Sequence, residues 1–303
     1  MMTAKIERIL VPTDFSETAG RALRYASVLA DSLGASLAVV YSDPFVPPVD
    51  YPGAVGGWNE GSFAQMMASA EEQLQRDAEE HIDPSVLYDA IVRVAPTLDG
   101  ILAQARESNA GLIVMGTHGR TGFQRRVIGS VTEAVLRHAD IPVIAVPPRS
   151  DAAPSIRTIV CPVIYNTQYL AALTFAAQIA PPDARFIIVR TAPVDDPRRA
   201  VDDLAELRAW VPQSIASRCE LKMFGHEHVA NQIEGFARSI HADLMVATEP
   251  SSRTTADVWH GTFAARLLQH GECPVLTVNS IAALAAPHFQ RREQQTATLS
   301  ANH

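Results

Sequence analysis

The chain has 303 residues, enough for about two domains of ordinary size. Hydrophobic residues make up 47% and charged residues 19%, so apolar matter suffices for a packed core. The formal net charge of -8, at a sequence pI near 5.7, argues against general nucleic-acid binding, which favours a basic face. A single nucleotide is not excluded, because local backbone donors rather than overall charge hold a small anion. Cys161, Cys219 and Cys273 lie far apart with no CxxC spacing, which suits a reducing cytoplasm and small buried apolar residues better than zinc or dithiol chemistry. No apolar stretch approaches the roughly 20 residues that span a bilayer. Neither a membrane partner nor a secretory leader is expected, and the expected location is the cytoplasm.

In chain order, Ile9 to Val11 reads as a buried strand. Glu17 to Leu33 reads as a helix, with Ser16 as N-cap and Gly34 as its C-terminal stop. Ser36 to Tyr41 is the next strand. A Pro- and Gly-rich stretch then runs from Pro44 to Gly61 and carries Trp58, a candidate to close over a ligand. Phe63 to Glu80 is amphipathic, with Phe63, Met66, Met67, Ala70 and Leu74 at helical spacing. Val86 to Val94 reads as a strand, Leu98 to Ser108 as a helix, and Leu112 to Met115 as a continuous apolar strand. Val127 to His138 reads as a helix and Val143 to Val146 as a last strand. Apolar strands alternating with helices predict a parallel sheet covered on both faces, with ligands beyond the strand C-termini at a topological switch point.

The pattern then repeats. Arg8-Ile9-Leu10-Val11-Pro12 has a twin in Thr158-Ile159-Val160-Cys161-Pro162, and Pro12 and Pro162 align at an offset of 150 residues. Later the offset becomes 132: Leu112-Ile113-Val114 matches Leu244-Met245-Val246, Gly129 matches Gly261, and Pro142 matches Pro274. Self-similarity of this kind marks a duplicated unit. The joint falls near Pro147 to Pro154, which has linker composition. Two domains are expected, 1–148 and 155–280, followed by a polar, disordered tail over 281–303.

One loop carries the chemistry. After Met115 comes Gly116-Thr117-His118-Gly119-Arg120, and ten residues past Gly119 Gly129-Ser130-Val131 opens a helix. Gly116 and Gly119 allow a sharp turn and close approach to a ligand. The helix N-terminus favours a phosphate, the Ser130 hydroxyl can donate to it, and Arg120, Arg125 and Arg126 supply cations. Glycines that merely end a strand and begin a helix are the plainer reading, but the full spacing Gly-x2-Gly-x9-Gly-Ser is far more specific than a glycine pair. Asp14, just beyond the first strand, suits either a ligand contact or a turn and helix-cap role.

This loop, with Val11-Pro12-Thr13-Asp14-Phe15-Ser16 before it, resembles the universal stress protein family over nearly the whole chain. The resemblance implies two tandem Rossmann-like domains of the adenine nucleotide alpha hydrolase type, each a five-stranded parallel sheet with helices on both faces. It also implies ATP as ligand, with Mg2+ as a possible companion. Asp14 would meet the ribose or adenine region, the backbone at Tyr41 the adenine, and Met115 would line the pocket. Gly116, Gly119, Gly129, Ser130 and Val131 would hold ribose and phosphates, with Pro12, Thr13, His118 and Arg120 beside them. Pairing of domains through the last strands, Val143–Val146 with Val275–Val278, would make an internal pseudo-dimer, and whole chains could pair as homodimers.

The second copy departs from the pattern: Ile164 stands at the place of Asp14, Thr248 at that of Gly116 and Ser251 at that of Gly119, while Gly261-Thr262 keeps the helix start. This half is not expected to bind ATP. His226 and His228 alternate as on a strand, an incomplete metal pair better explained as a solvated face. Three functions remain open: an ATP-binding regulatory stress protein with an unknown protein partner, a slow ATPase or autophosphorylating enzyme, and a nucleotide-independent interaction module. The chain has no GxxxxGK[ST] lysine to favour the enzyme.

Overall fold

The computed structural model describes residues 5–44, 60–119, 128–150, 155–162, 167–191, 208, 211–224, 229–248 and 263–278. Trp58, the tail and the pair His226/His228 lie outside them. The first half runs β1 (Arg8–Pro12), α1 (Glu17–Leu33), β2 (Ser36–Asp43), α2 (Glu60–His81), β3 (Tyr88–Val94), α3 (Thr97–Glu107), β4 (Leu112–Gly116), α4 (Ser130–His138) and β5 (Val143–Val146). The second runs β6 (Thr158–Pro162), α5 (Thr167–Ile179), β7 (Arg185–Thr191), β8 (Cys219–Phe224), α6 (Val229–Ser239), β9 (Leu244–Thr248), α7 (Phe263–His270) and β10 (Val275–Val278).

Helix α1 starts and stops where its sequence signals lie. Extended Ser16 accepts a hydrogen bond from the Ala19 N–H at 3.2 Å, a cap that contributes about 1 kcal/mol. Gly34 adopts the left-handed conformation at φ 60°, and its N–H turns back to the carbonyls of Ala30 and Asp31. Helix α4 begins at Ser130, later than the apolar pattern suggests. The Gly129 N–H is bonded to the Thr117 carbonyl at 2.8 Å, which holds Gly129 extended and outside the helix.

The ten strands form one sheet in the order β3-β2-β1-β4-β5-β10-β9-β6-β7-β8. Pairing is parallel throughout each half. The halves meet where β5 and β10 pair antiparallel, Ile144 opposite Leu276. The repeat holds to the register: Ile9 pairs with Leu112 as Ile159 pairs with Leu244, and Gly116 pairs with Val146 as Thr248 pairs with Val278. Alternate strand residues face opposite sides. Ile9, Val11, Leu37, Val39, Leu112 and Val114 pack under α1 and α2, in a cluster that runs on beneath α5. Leu10, Ala38, Val40, Ile113 and Met115 pack under α3 and α4, in a cluster that continues beneath α6 and α7. Strands buried on both faces carry no polar alternation, which is why they read as continuous apolar runs. Among the described residues no helix is long and apolar enough to cross a membrane.

Candidate functional site

The strand order reverses between β1 and β4, the place where sheets of this kind open a crevice beyond the strand C-termini. Beyond Pro12, the Thr13 N–H bonds the Val40 carbonyl at 2.9 Å, carrying the ladder one residue past β1. Thr13 is buried; its Oγ1 donates to Asp77 Oδ2 at 2.9 Å and accepts from the Phe15 N–H at 3.0 Å. Phe15 sits at φ 63°, a left-handed conformation that costs a bulky residue on the order of 1 kcal/mol or more. Its ring lies against Tyr41, with centroids 4.7 Å apart. This tight turn throws the Asp14 side chain toward the loop after β4. Asp14 Oδ1 accepts from the Ser16 N–H at 3.1 Å. Asp14 Oδ2 stands 2.6 Å from where a Cβ on Gly119 would be. Two motifs that the sequence separates by about a hundred residues thus share one wall of the crevice.

The loop after β4 is tied down by its backbone. The Thr117 N–H bonds the Val146 carbonyl at 3.0 Å, and Thr132 Oγ1 donates to the Gly116 carbonyl at 2.8 Å. Gly116 packs on α1, where a Cβ would stand 2.9 Å from Thr18 Cγ2 and 3.0 Å from the Thr18 carbonyl carbon and oxygen. Among the described glycines only Gly34 has a positive φ. The loop glycines therefore act by leaving out a Cβ, not by entering the left-handed region; the sharp turn falls on Phe15 instead. At α4 the first hydrogen bond within the helix is from the Glu133 N–H to the Gly129 carbonyl, at 2.9 Å. The amides of Ser130, Val131 and Thr132 precede it and have no acceptor inside the helix. Ser130 is exposed and Val131 half-buried.

His118 places Nδ1 2.8 Å from Thr117 Oγ1, while its Nε2 is buried without a hydrogen-bond partner. Burial pushes its pKa below the ordinary value of 6.5, so the ring is neutral at pH 7. Met115 is buried in the core beneath α3 and α4. Of the predicted residues, Pro12 and Gly116 end β1 and β4, Thr13, Asp14, His118 and Gly119 lie in the loops that follow, Gly129, Ser130 and Val131 lie at the α4 start, and Tyr41 lies on β2 beside Phe15. Arg120, Arg125 and Arg126 lie outside the described residues, as do Ile164, Ser251, Gly261 and Thr262 of the second copy. In that half Arg190 on β7 stands one residue past the partner of Pro162, the register place that Tyr41 holds relative to Pro12. All three cysteines are free, and burial raises each thiol, that of Cys219 to about 11, so none is reactive at neutral pH. Among the described residues no group of three or more His, Cys, Asp or Glu is placed to hold a metal ion.

The pattern of residues missed Asp77. A signal was present: Asp77 and His81 continue the stripe of Ala70, Leu74 and Ala78 at helical spacing, so two polar groups lie on the buried side of α2.

A model of the universal stress protein family matches residues 5–147. A universal stress protein of Methanocaldococcus jannaschii is 30% identical over 140 residues, which are 46% of this chain and 81% of the relative. One of Mycobacterium tuberculosis is 29% identical over 153 residues, 48% of this chain and 46% of the relative. The crystal structure of a universal stress protein from Archaeoglobus fulgidus is alike in fold over 90% of this chain and 96% of its own, with a TM-score of 0.64 at 16% identity.

Proposed function

The chain belongs to the universal stress protein family, and from that premise we propose that it is an ATP-binding regulatory protein of the cytoplasm that holds one nucleotide, in its first half. The observation that carries the reading is the crevice wall where Asp14 Oδ2 faces Gly119, across the place a Cβ would fill. A carboxylate there can accept from ribose hydroxyls, and a bare backbone beside it lets phosphates approach. The amides of Ser130 and Val131, with the dipole of α4, suit the phosphate charge. Gly116, Gly119 and Gly129 frame them, Arg120 adds a cation, and Pro12, Thr13, Tyr41 and Met115 shape the adenine side. The buried, unpartnered Nε2 of His118 offers a further hydrogen-bonding group. Mg2+ would arrive on the triphosphate. ATP would favour one arrangement of these loops over another, and so change the surface shown to a protein partner.

The second half lacks the matching carboxylate, with Ile164 in its place, and carries Thr248 and Ser251 where the first half has glycine. Calorimetric titration is therefore expected to give one ATP per chain, unchanged in Ser251→Val. Two per chain, or loss of half the bound ATP in that variant, would refute the assignment to one half; no binding would refute ATP as the ligand. ADP accumulating in proportion to protein would point to the hydrolytic alternative.

His118 gives a pH test. Its side chain takes up a proton near pH 6.5 when unfolded and at lower pH when folded, so the unfolded chain binds more protons in that window. This contribution to stability is fully present above pH 6.5 and is lost as pH falls below it. Urea midpoints at pH 7.5 and 5.5 are expected to differ less in His118→Asn than in the wild type; equal differences would show that the ring does not titrate abnormally.

A further inference from the structure

We propose that Asp77, on α2, is a positioning residue for the nucleotide crevice, acting through the Thr13 hydroxyl. The proposal rests on the nucleotide reading of the β1 loop given above. The side chains of Asp77 and His81 are 13% and 12% exposed, so α2 carries a carboxylate into a nearly dry space beside β1. A carboxylate oxygen accepts the hydrogen bond here. Thr13 Oγ1, 2.9 Å from Asp77 Oδ2, must therefore spend its one proton on Asp77. That choice turns the hydroxyl's lone pairs toward the Phe15 N–H at 3.0 Å. The accepted bond helps hold Phe15 at φ 63°, and the turn at Phe15 sets the direction of Asp14. A carboxylate one helix away thus fixes the aim of the carboxylate in the crevice.

Asp77 is itself held. His81 Nδ1 lies 2.8 Å from the Asp77 main-chain carbonyl, which can only accept, so Nδ1 carries the proton. The same nitrogen is 3.4 Å from Asp77 Oδ1. The ring rests on Gly20 of α1, where a Cβ would stand 2.5 Å from Nε2. The absence of a side chain at Gly20 lets α2 dock closely enough for Asp77 to reach Thr13.

The test is a double-mutant cycle on ATP affinity in the full chain, with melting temperatures measured beside it. Asp77→Ala is expected to weaken ATP binding about tenfold, the effect of one charge-assisted hydrogen bond. Thr13→Val is expected to weaken it by a similar factor, and the double variant to be no worse than Thr13→Val alone, since the two residues act in series. Thr13→Ser, which keeps the hydroxyl, is expected to regain most of the loss in Thr13→Val. Amide exchange at Phe15 is expected to quicken in Asp77→Ala even without nucleotide. Should Asp77→Ala fail to fold, Asp77→Asn keeps the shape and is expected to show a smaller loss of about threefold. If the wild-type chain binds ATP while Asp77→Ala binds within twofold of it, or if the two losses multiply, the positioning role is wrong. A wild-type chain indifferent to ATP overturns the nucleotide reading and this role together.

Discussion

Gly119→Val is expected to lower ATP affinity by at least about 100-fold while leaving the melting temperature nearly unchanged. Position 119 is exposed and its φ is not positive, so the backbone accepts a side chain. The new Cβ would meet Asp14 Oδ2 at 2.6 Å, which is the far end of a side chain and can swing away. The fold gives way cheaply, but the crevice does not. On the nucleotide reading, Asp14 would lose its aim on the sugar, and with it charge-assisted hydrogen bonds of about 1.5–3 kcal/mol, and the isopropyl group would take the space proposed for the phosphates. A loss of about 3 kcal/mol corresponds to a factor somewhat above 100. Titration calorimetry and a thermal melt on the same sample decide the matter; a variant that binds within tenfold of wild type means the ligand does not pass this wall.

Gly116→Val, three residues earlier, is expected to do the opposite kind of damage. Its Cβ would stand 3.0 Å from the main-chain carbonyl of Thr18, and helix backbone cannot rotate aside. Either α1 lifts from β4 or the strand end bends. Overpacking of this kind costs roughly 3 kcal/mol, which for a chain of this size lowers the melting temperature by roughly 5 °C. Thr248 holds the matching place at the end of β9, so a strand end of this type does carry a side chain in the second half. In the first half the Thr18 backbone stands where that side chain would go. A Gly116→Val chain that melts within 2 °C of wild type would show that the contact with α1 is looser than its geometry indicates. On the nucleotide reading the two glycines of one motif are separable: Gly119 leaves room in front of the Asp14 carboxylate, Gly116 room for the backbone of α1.

The adenine-nucleotide reading and the stability of the fold therefore depend on neighbouring residues for different reasons, and spacing alone could not distinguish them. Glycine spacing marks where a Cβ is unwelcome, yet Asp14 and Thr18, the atoms that exclude it, lie about a hundred residues away. The left-handed turn offers the same lesson. It falls on Phe15, a residue type that carries no turn signal, because Thr13 and Tyr41 hold it there. Thr13 is named by the resemblance and Asp77 shows as a polar interruption of an apolar stripe, but nothing in the sequence pairs the two.

What the chain's own residue order determined was local or periodic. Apolar runs set the strands, helical spacing and the caps Ser16 and Gly34 set the ends of α1, and the offsets of 150 and 132 set the duplication, because each depends only on neighbours along the chain or on comparing one segment with another. The tertiary structure decided which loops share the crevice, which glycine faces a carboxylate and which a helix, and that ten strands join into one sheet through Ile144 and Leu276. Those contacts follow from the order in which strands pair, and pairing order brings together residues whose separation along the chain carries no record of their nearness.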